Sequence, residues 1–186
     1  KVDFLANALT YARIGWPVFP LADGGKLPRI STRAGGRGVY DATTDEAVIR
    51  AWAAKYPSAN VGVACGEPSG FVVLDVDPRN GGDATIRGFA AKGYSFPKGP
   101  RARTGNGGFH LFFAWQAAIR GTGGKHSRIG PGVDLKASGG YVLGAPSWTR
   151  PSEDGPGGSY VWEASPFDIP VPRLPIWLST ILNPPP

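Results

Sequence analysis

The chain has 186 residues, 41% of them hydrophobic and 18% charged, with a net charge of +6 and a pI near 9.7. That length and hydrophobic share suit one sizeable globular domain, and no apolar run approaches the roughly 18 residues of a membrane span, so a membrane partner is not expected. A single cysteine, Cys65, excludes an internal disulfide and points to a reducing compartment, the cytoplasm, while one Cys with two His argues against a structural zinc site.

The basic balance favours polyanionic partners such as nucleic acid or nucleotides. The 28 glycines and 19 prolines punctuate apolar, β-branched runs, which reads as many strands joined by turns. The chain starts at Lys1, contains no Met and ends in NPPP. It is read as a single domain over 1–186, a fragment of a longer protein.

In chain order, Phe4, Leu5, Ala8, Leu9 and Ala12 recur at helical spacing, and Gly15 fits the position just past a helix end. WPVFPL reads as extended, because each proline pushes its predecessor out of the helical region. Gly24 to Gly38 is a basic, glycine-rich loop carrying Lys26, Arg29, Arg33 and Arg37. TTDEAVIRAWAAKYP predicts a helix, with Thr43 and Glu46 as a capping box. Two strands follow, NVGVAC and FVVLDVD, then a helix near Asp83–Lys92. GFHLFFAW, GVDLKA, GYVLGA and SYVWE read as further strands, and PIWLSTIL as a closing helix. Helices come early and strands dominate the middle, which predicts an α+β arrangement.

Three of these strands carry charge where a core strand is normally quiet. Side chains alternate with period two, so Asp75 and Asp77 in FVVLDVDP share one face. Two neighbouring carboxylates repel, and need solvent, a proton or a cation to be tolerated. In TGNGGFHLFF, His110 faces opposite to Phe109, Leu111 and Phe113; in GVDLKA, Asp134 and Lys136 face opposite to Val133 and Leu135. Any one of these fits an ordinary exposed sheet face. Together they supply aspartates suited to Mg²⁺ or Mn²⁺, which prefer oxygen ligands, and a glycine-rich turn with Thr104 and His110 suited to phosphate. No helix opens after those glycines, so they are not a dinucleotide fingerprint. Gly124–Lys125 is followed by His126 rather than Ser or Thr, so there is no P-loop.

The ordered set GW-VFPL…GK-P, DATTDEAVIRAWAAKYPSANVGVACGEPSGFVVLDVDP, TGNGGFHLFF and GVDLKASGGYVLGAPS resembles the bifunctional primase–polymerase domain of the archaeo-eukaryotic primase superfamily, typical of phage and plasmid replication proteins. The resemblance runs from about Ala8 to Ser147. It implies an RRM-like catalytic sheet with an N-terminal α/β module and an active site in the cleft between them. It implies Asp75, Asp77 and Asp134 as catalytic metal ligands. Thr104, Gly105 and His110 match the motif whose histidine contacts the incoming triphosphate, and Lys136 would meet phosphate charge. The chain lacks the cysteines of a zinc-binding stem and any P-loop, so a helicase, fused or separate, lies outside these residues.

The expected function is that of a DNA primase and template-dependent DNA polymerase, using two divalent ions, a single-stranded or primed DNA template and dNTP or NTP. Lys26, Arg29, Arg33 and Arg37 are the candidate template contacts. The alternatives are an inactive single-stranded DNA-binding module and a metal-dependent nuclease. The first needs basic and aromatic surface but not three aspartates. The second has no triphosphate to hold.

Overall fold

The computed structural model describes residues 2–123, 127–153 and 155–184. Gly124, Lys125 and His126 lie outside them. The described residues form an α+β structure of four α-helices and ten strands in three antiparallel sheets.

The N-terminal module contains α1 (Phe4–Arg13), β1 (Val18–Leu21), α2 (Glu46–Lys55) and β2 (Asn60–Ala64). Asp3 caps α1 by accepting from Ala6 N–H at 3.0 Å, and the chain leaves the helix through Gly15 at φ +80°. Pro20 cannot donate to a ladder, and it sits on β1, an edge strand of the sheet ordered β1, β2, β7. The capping box expected at Thr43 is not formed. Asp45 is the cap of α2, its carboxylate accepting from Ala47 and Val48 N–H. Thr43 is held instead by backbone pairing with Val18, and Glu46 turns along the helix to Arg50. Asp45→Ala should therefore cost about 1 kcal/mol, read as a lowered urea midpoint, whereas Thr43→Ala should lower it less.

The second sheet has five strands in the order β10, β4, β5, β3, β6, every pair antiparallel. These are β3 (Phe71–Val76), β4 (Arg101–Arg103), β5 (Phe109–Ala114), β6 (Val133–Lys136) and β10 (Val161–Ala164). Between β3 and β4 lies α3 (Gly82–Ala91). β7 (Tyr141–Leu143) returns the chain to the N-terminal sheet, β8 (Trp148–Thr149) and β9 (Gly158–Ser159) form a small hairpin, and α4 (Ile176–Leu182) closes the chain. β4 was not legible as a strand, because RAR offers only one apolar residue, Ala102, to bury between two exposed arginines.

Both faces of the five-stranded sheet are covered. Val72, Leu74 and Val76 pack with Phe113, Val133 and Leu135 against Phe89 of α3 and Leu178 of α4. On the opposite face, Phe71, Val73 and Phe112 join Phe4, Trp16, Ile49 and Val61 of the N-terminal module. The strand carrying the two aspartates is therefore apolar on one parity throughout. On the other parity it is apolar only where the N-terminal module covers it.

Candidate active site

Past Val73, the same face of β3 continues into Asp75 and then Asp77, just beyond the strand. Strand register sets what stands beside them. Asp75 is paired directly with His110 on β5 and with Asp134 on β6. Directly opposed residues on one sheet face bring their side chains together, so three polar side chains from three strands lie in one row. Lys136 lies two residues further along β6 and on the same face. Ala102 on β4 is the other neighbour of His110 and leaves it room.

The row is held by charge. His110 Nε2 lies 3.5 Å from Asp75 Oδ1, and Lys136 Nζ reaches Asp75 Oδ2 at 3.9 Å and Asp134 Oδ2 at 3.8 Å. Burial by itself would raise the Asp75 pKa. The His110 contact and the charges of Lys136 and Lys26 outweigh it and hold the carboxyl below its ordinary range. Asp134 is pushed the other way, by burial first and by Asp75 as well, with Lys136 opposing. Its Oδ1 is buried without a hydrogen-bond partner. The nearby Thr122 hydroxyl, which accepts from Leu135 N–H at 2.8 Å, gives the Asp134 carboxylate a smaller opposing stabilisation. His110, 5% exposed, likewise has an unpartnered Nδ1.

Asp77 is differently placed. It caps the short 3-10 turn that follows, accepting from Arg79 N–H at 3.0 Å, from the Arg79 guanidinium at 3.1 and 2.8 Å, and from Asn80 Nδ2 at 2.8 Å. Asp75, Asp77 and Asp134 nonetheless open on one cavity of about 460 Å³, together with Asn80 and the Gly130–Gly132 turn. A second cavity of about 390 Å³ also reaches Asp75 and is lined by Lys26, His110, Lys136, Tyr141 and Tyr160. Its walls come from both larger sheets, which places it in the cleft between them.

A divalent cation is implied by the resemblance. Among the described residues, no three His, Cys, Asp or Glu side chains stand together as a ready metal cluster. The donors fit a hard cation in kind: carboxylate oxygens on one cavity, one of them buried and unpartnered. Lys136 and Arg79 offset two of the three carboxylate charges.

Thr104 is buried in the turn between β4 and β5, where its hydroxyl accepts from Gly108 N–H at 3.1 Å. It lines a small recess of about 70 Å³ with Asp75, Arg79, Asn106, His110 and Tyr160. The glycines of this turn have packing reasons of their own. A Cβ on Gly105 would lie 2.5 Å from the Gly158 carbonyl oxygen, and one on Gly108 only 2.1 Å from that of Val76.

The four basic residues grouped by the sequence separate in space. Lys26 lines the cavities around Asp75. Arg29 stacks over Tyr56, with its guanidinium carbon 5.1 Å from the ring centroid, beside a shallow groove near Lys55. Arg33 is exposed on a 3-10 turn, and the largely exposed Arg37 is bonded to Asp41 at 3.1 Å. Arg79, Asn106, Tyr141 and Tyr160 line the site without having been singled out in the sequence. Only Arg79, two residues past the Asp-x-Asp pair, carried a local signal.

A family model described as Prim-Pol, bifunctional DNA primase/polymerase, N-terminal, matches residues 8–177. No curated protein matches the chain.

Proposed function

The chain belongs to the Prim-Pol family of bifunctional DNA primase/polymerase N-terminal domains, and from that premise we propose that it extends DNA on a template as a primase and polymerase. The observation that carries this reading is the register placing Asp75 between His110 and Asp134, at the junction of an acidic and a basic cavity. A nucleotidyl transfer needs that juxtaposition: hard-cation ligands beside a cationic phosphate pocket.

Asp75, Asp77 and Asp134 are the ligands we assign to Mg²⁺ or Mn²⁺. Two such ions, when bound, lower the pKa of the attacking 3′-hydroxyl and neutralise charge on the departing pyrophosphate. His110 and Lys136 face the triphosphate, and the buried Thr104 hydroxyl with the backbone at Gly105 shapes the recess beside them. Lys136 between Asp75 and Asp134, with Arg79 on Asp77, offsets part of the charge of the three carboxylates before ligands arrive. Residues 1–186 act as one catalytic domain of a replication protein, working in the cytoplasm, with any helicase elsewhere.

Primed template, Mn²⁺ and labelled dNTP should yield longer strands. Unchanged strands would favour a DNA-binding module, and shorter ones a nuclease. His110→Ala should raise the apparent KM for dNTP roughly tenfold, the value of one charge-assisted hydrogen bond, and leave the metal requirement unmoved. Asp134→Asn should raise the metal requirement instead. Recovery of His110→Ala by excess metal alone would make the histidine a ligand.

DNA binding should weaken steeply with salt, because Lys and Arg contacts release counterions from phosphate. Replacing Arg33 and Arg37 together should lower the slope of log affinity against log salt by about two if both touch phosphate. An unchanged slope removes this exposed loop from the DNA path.

A further inference from the structure

Lys26 belongs to the N-terminal module, yet it lines the cavity of about 390 Å³ with His110 and Lys136 and the recess with Thr104 and Arg79. Its loop is built rather than loose. Tyr141 Oη donates to the Lys26 carbonyl at 2.9 Å, and Ala22 N–H donates to that of Leu27 at 2.8 Å. Asn60, fully buried on β2, donates from Nδ2 to the carbonyls of Gly25 at 2.9 Å and Trp148 at 2.5 Å, and accepts Trp148 N–H at 3.1 Å. A buried amide is costly unless its donors and acceptor are satisfied, and Asn60 satisfies them by tying this loop to the start of β8. Gly24, at φ +63°, lets the backbone lie on the Trp148 ring, which a Cβ would approach to 2.8 Å.

The bland role for Lys26 is counter-charge to Asp75. Lys26 plays that part only weakly: its charge is the smallest of the influences on Asp75, the contacts come from His110 and Lys136, and among the described residues Lys26 makes no ion pair. An exposed ammonium on a braced loop, facing a concave basic pocket, is arranged for an anion from outside. The pocket is of small-molecule size and shared with the two other phosphate-facing side chains, so it suits a nucleotide better than a passing strand.

We propose that Lys26 binds the triphosphate of the incoming nucleotide from across the cleft, and that Asn60 and Tyr141 are positioning residues that hold its loop over the pocket. This rests on the polymerase reading. It separates Lys26 from Arg29, Arg33 and Arg37, with which the sequence grouped it as a template contact.

The test is equilibrium titration of wild type, Lys26→Gln, Lys26→Arg, Tyr141→Phe and the Lys26→Gln/Tyr141→Phe double variant with dATP, inorganic tripolyphosphate and a single-stranded oligonucleotide. Lys26 is exposed and Tyr141→Phe removes one hydroxyl, so the variants should fold, checked by melting temperature. Lys26→Gln should weaken dATP and tripolyphosphate about tenfold, and Lys26→Arg should recover most of it. Tyr141→Phe should weaken them about threefold in wild type and have no further effect in Lys26→Gln, as expected of a residue acting through Lys26. Oligonucleotide affinity should stay within about twofold in Lys26→Gln. Wild type binding neither dATP nor tripolyphosphate would remove the polymerase reading itself. Wild type binding both, with Lys26→Gln unchanged, would overturn this inference alone. Selective loss of oligonucleotide binding would return Lys26 to the template, and an additive Tyr141→Phe effect would end its positioning role.

Discussion

Asp75→Asn should lower nucleotide incorporation by about two to three orders of magnitude, the scale seen when one preorganised electrostatic contact is removed from an active site. The substitution keeps the shape of the side chain and removes its charge. Asp75 contacts both His110 and Lys136 and opens on both cavities. On the proposed reading its loss takes away an oxygen ligand, and it frees Lys136 to close on Asp134. The fold should survive with a modest loss of stability, because the favourable contacts of Asp75 go but Phe71 and Val73 still anchor the strand. The check is single-turnover primer extension beside a thermal melt. Near-normal extension with an unchanged metal dependence would show that Asp75 is not a ligand, whatever the melt.

Gly108→Ala should act by another route and cost about 3 kcal/mol. The added methyl carbon would meet the Val76 carbonyl oxygen at 2.1 Å, with Pro78 Cδ and Thr104 Oγ each at 3.1 Å. The nearest atom is backbone and Pro78 Cδ belongs to a rigid ring, so neither is the free end of a flexible side chain. The turn from β4 to β5 must move away from β3, and His110, two residues on, must lose its register with Asp75. Urea midpoint and extension should fall together. If this glycine instead serves only close approach to phosphate, the variant would keep its midpoint and lose only dNTP affinity, and the packing account would be wrong.

These two substitutions belong to different motifs, FVVLDVDP and TGNGGFHLFF, that meet at the pairing of Asp75 with His110. The run TGNGGFH was legible as a turn leading to a polar strand residue. It did not disclose that Gly105 and Gly108 are required by carbonyl oxygens from Gly158 and Val76, because those contacts join segments distant in the chain. The capping of α2 shows the same limit at short range. Thr43, Asp45 and Glu46 were all in view, and the choice of Asp45 followed from Thr43 being held by Val18 in the N-terminal sheet.

The sequence by itself determined most element positions, the α+β class, and the parity that puts Asp75 with Asp77 and Asp134 with Lys136. Those follow from the helical and strand periods, which are properties of local backbone geometry. The resemblance carried by four ordered motifs added the family. Only the tertiary structure decided that Asp75 stands between His110 and Asp134, that Asp77 is drawn onto Arg79 and Asn80, and that Lys26 leaves its basic neighbours to join the pocket. Such neighbours are set by strand order, register and buried hydrogen bonds such as those of Asn60. These are long-range terms, won by burying two faces of one sheet at once, and no local pattern of residues encodes them.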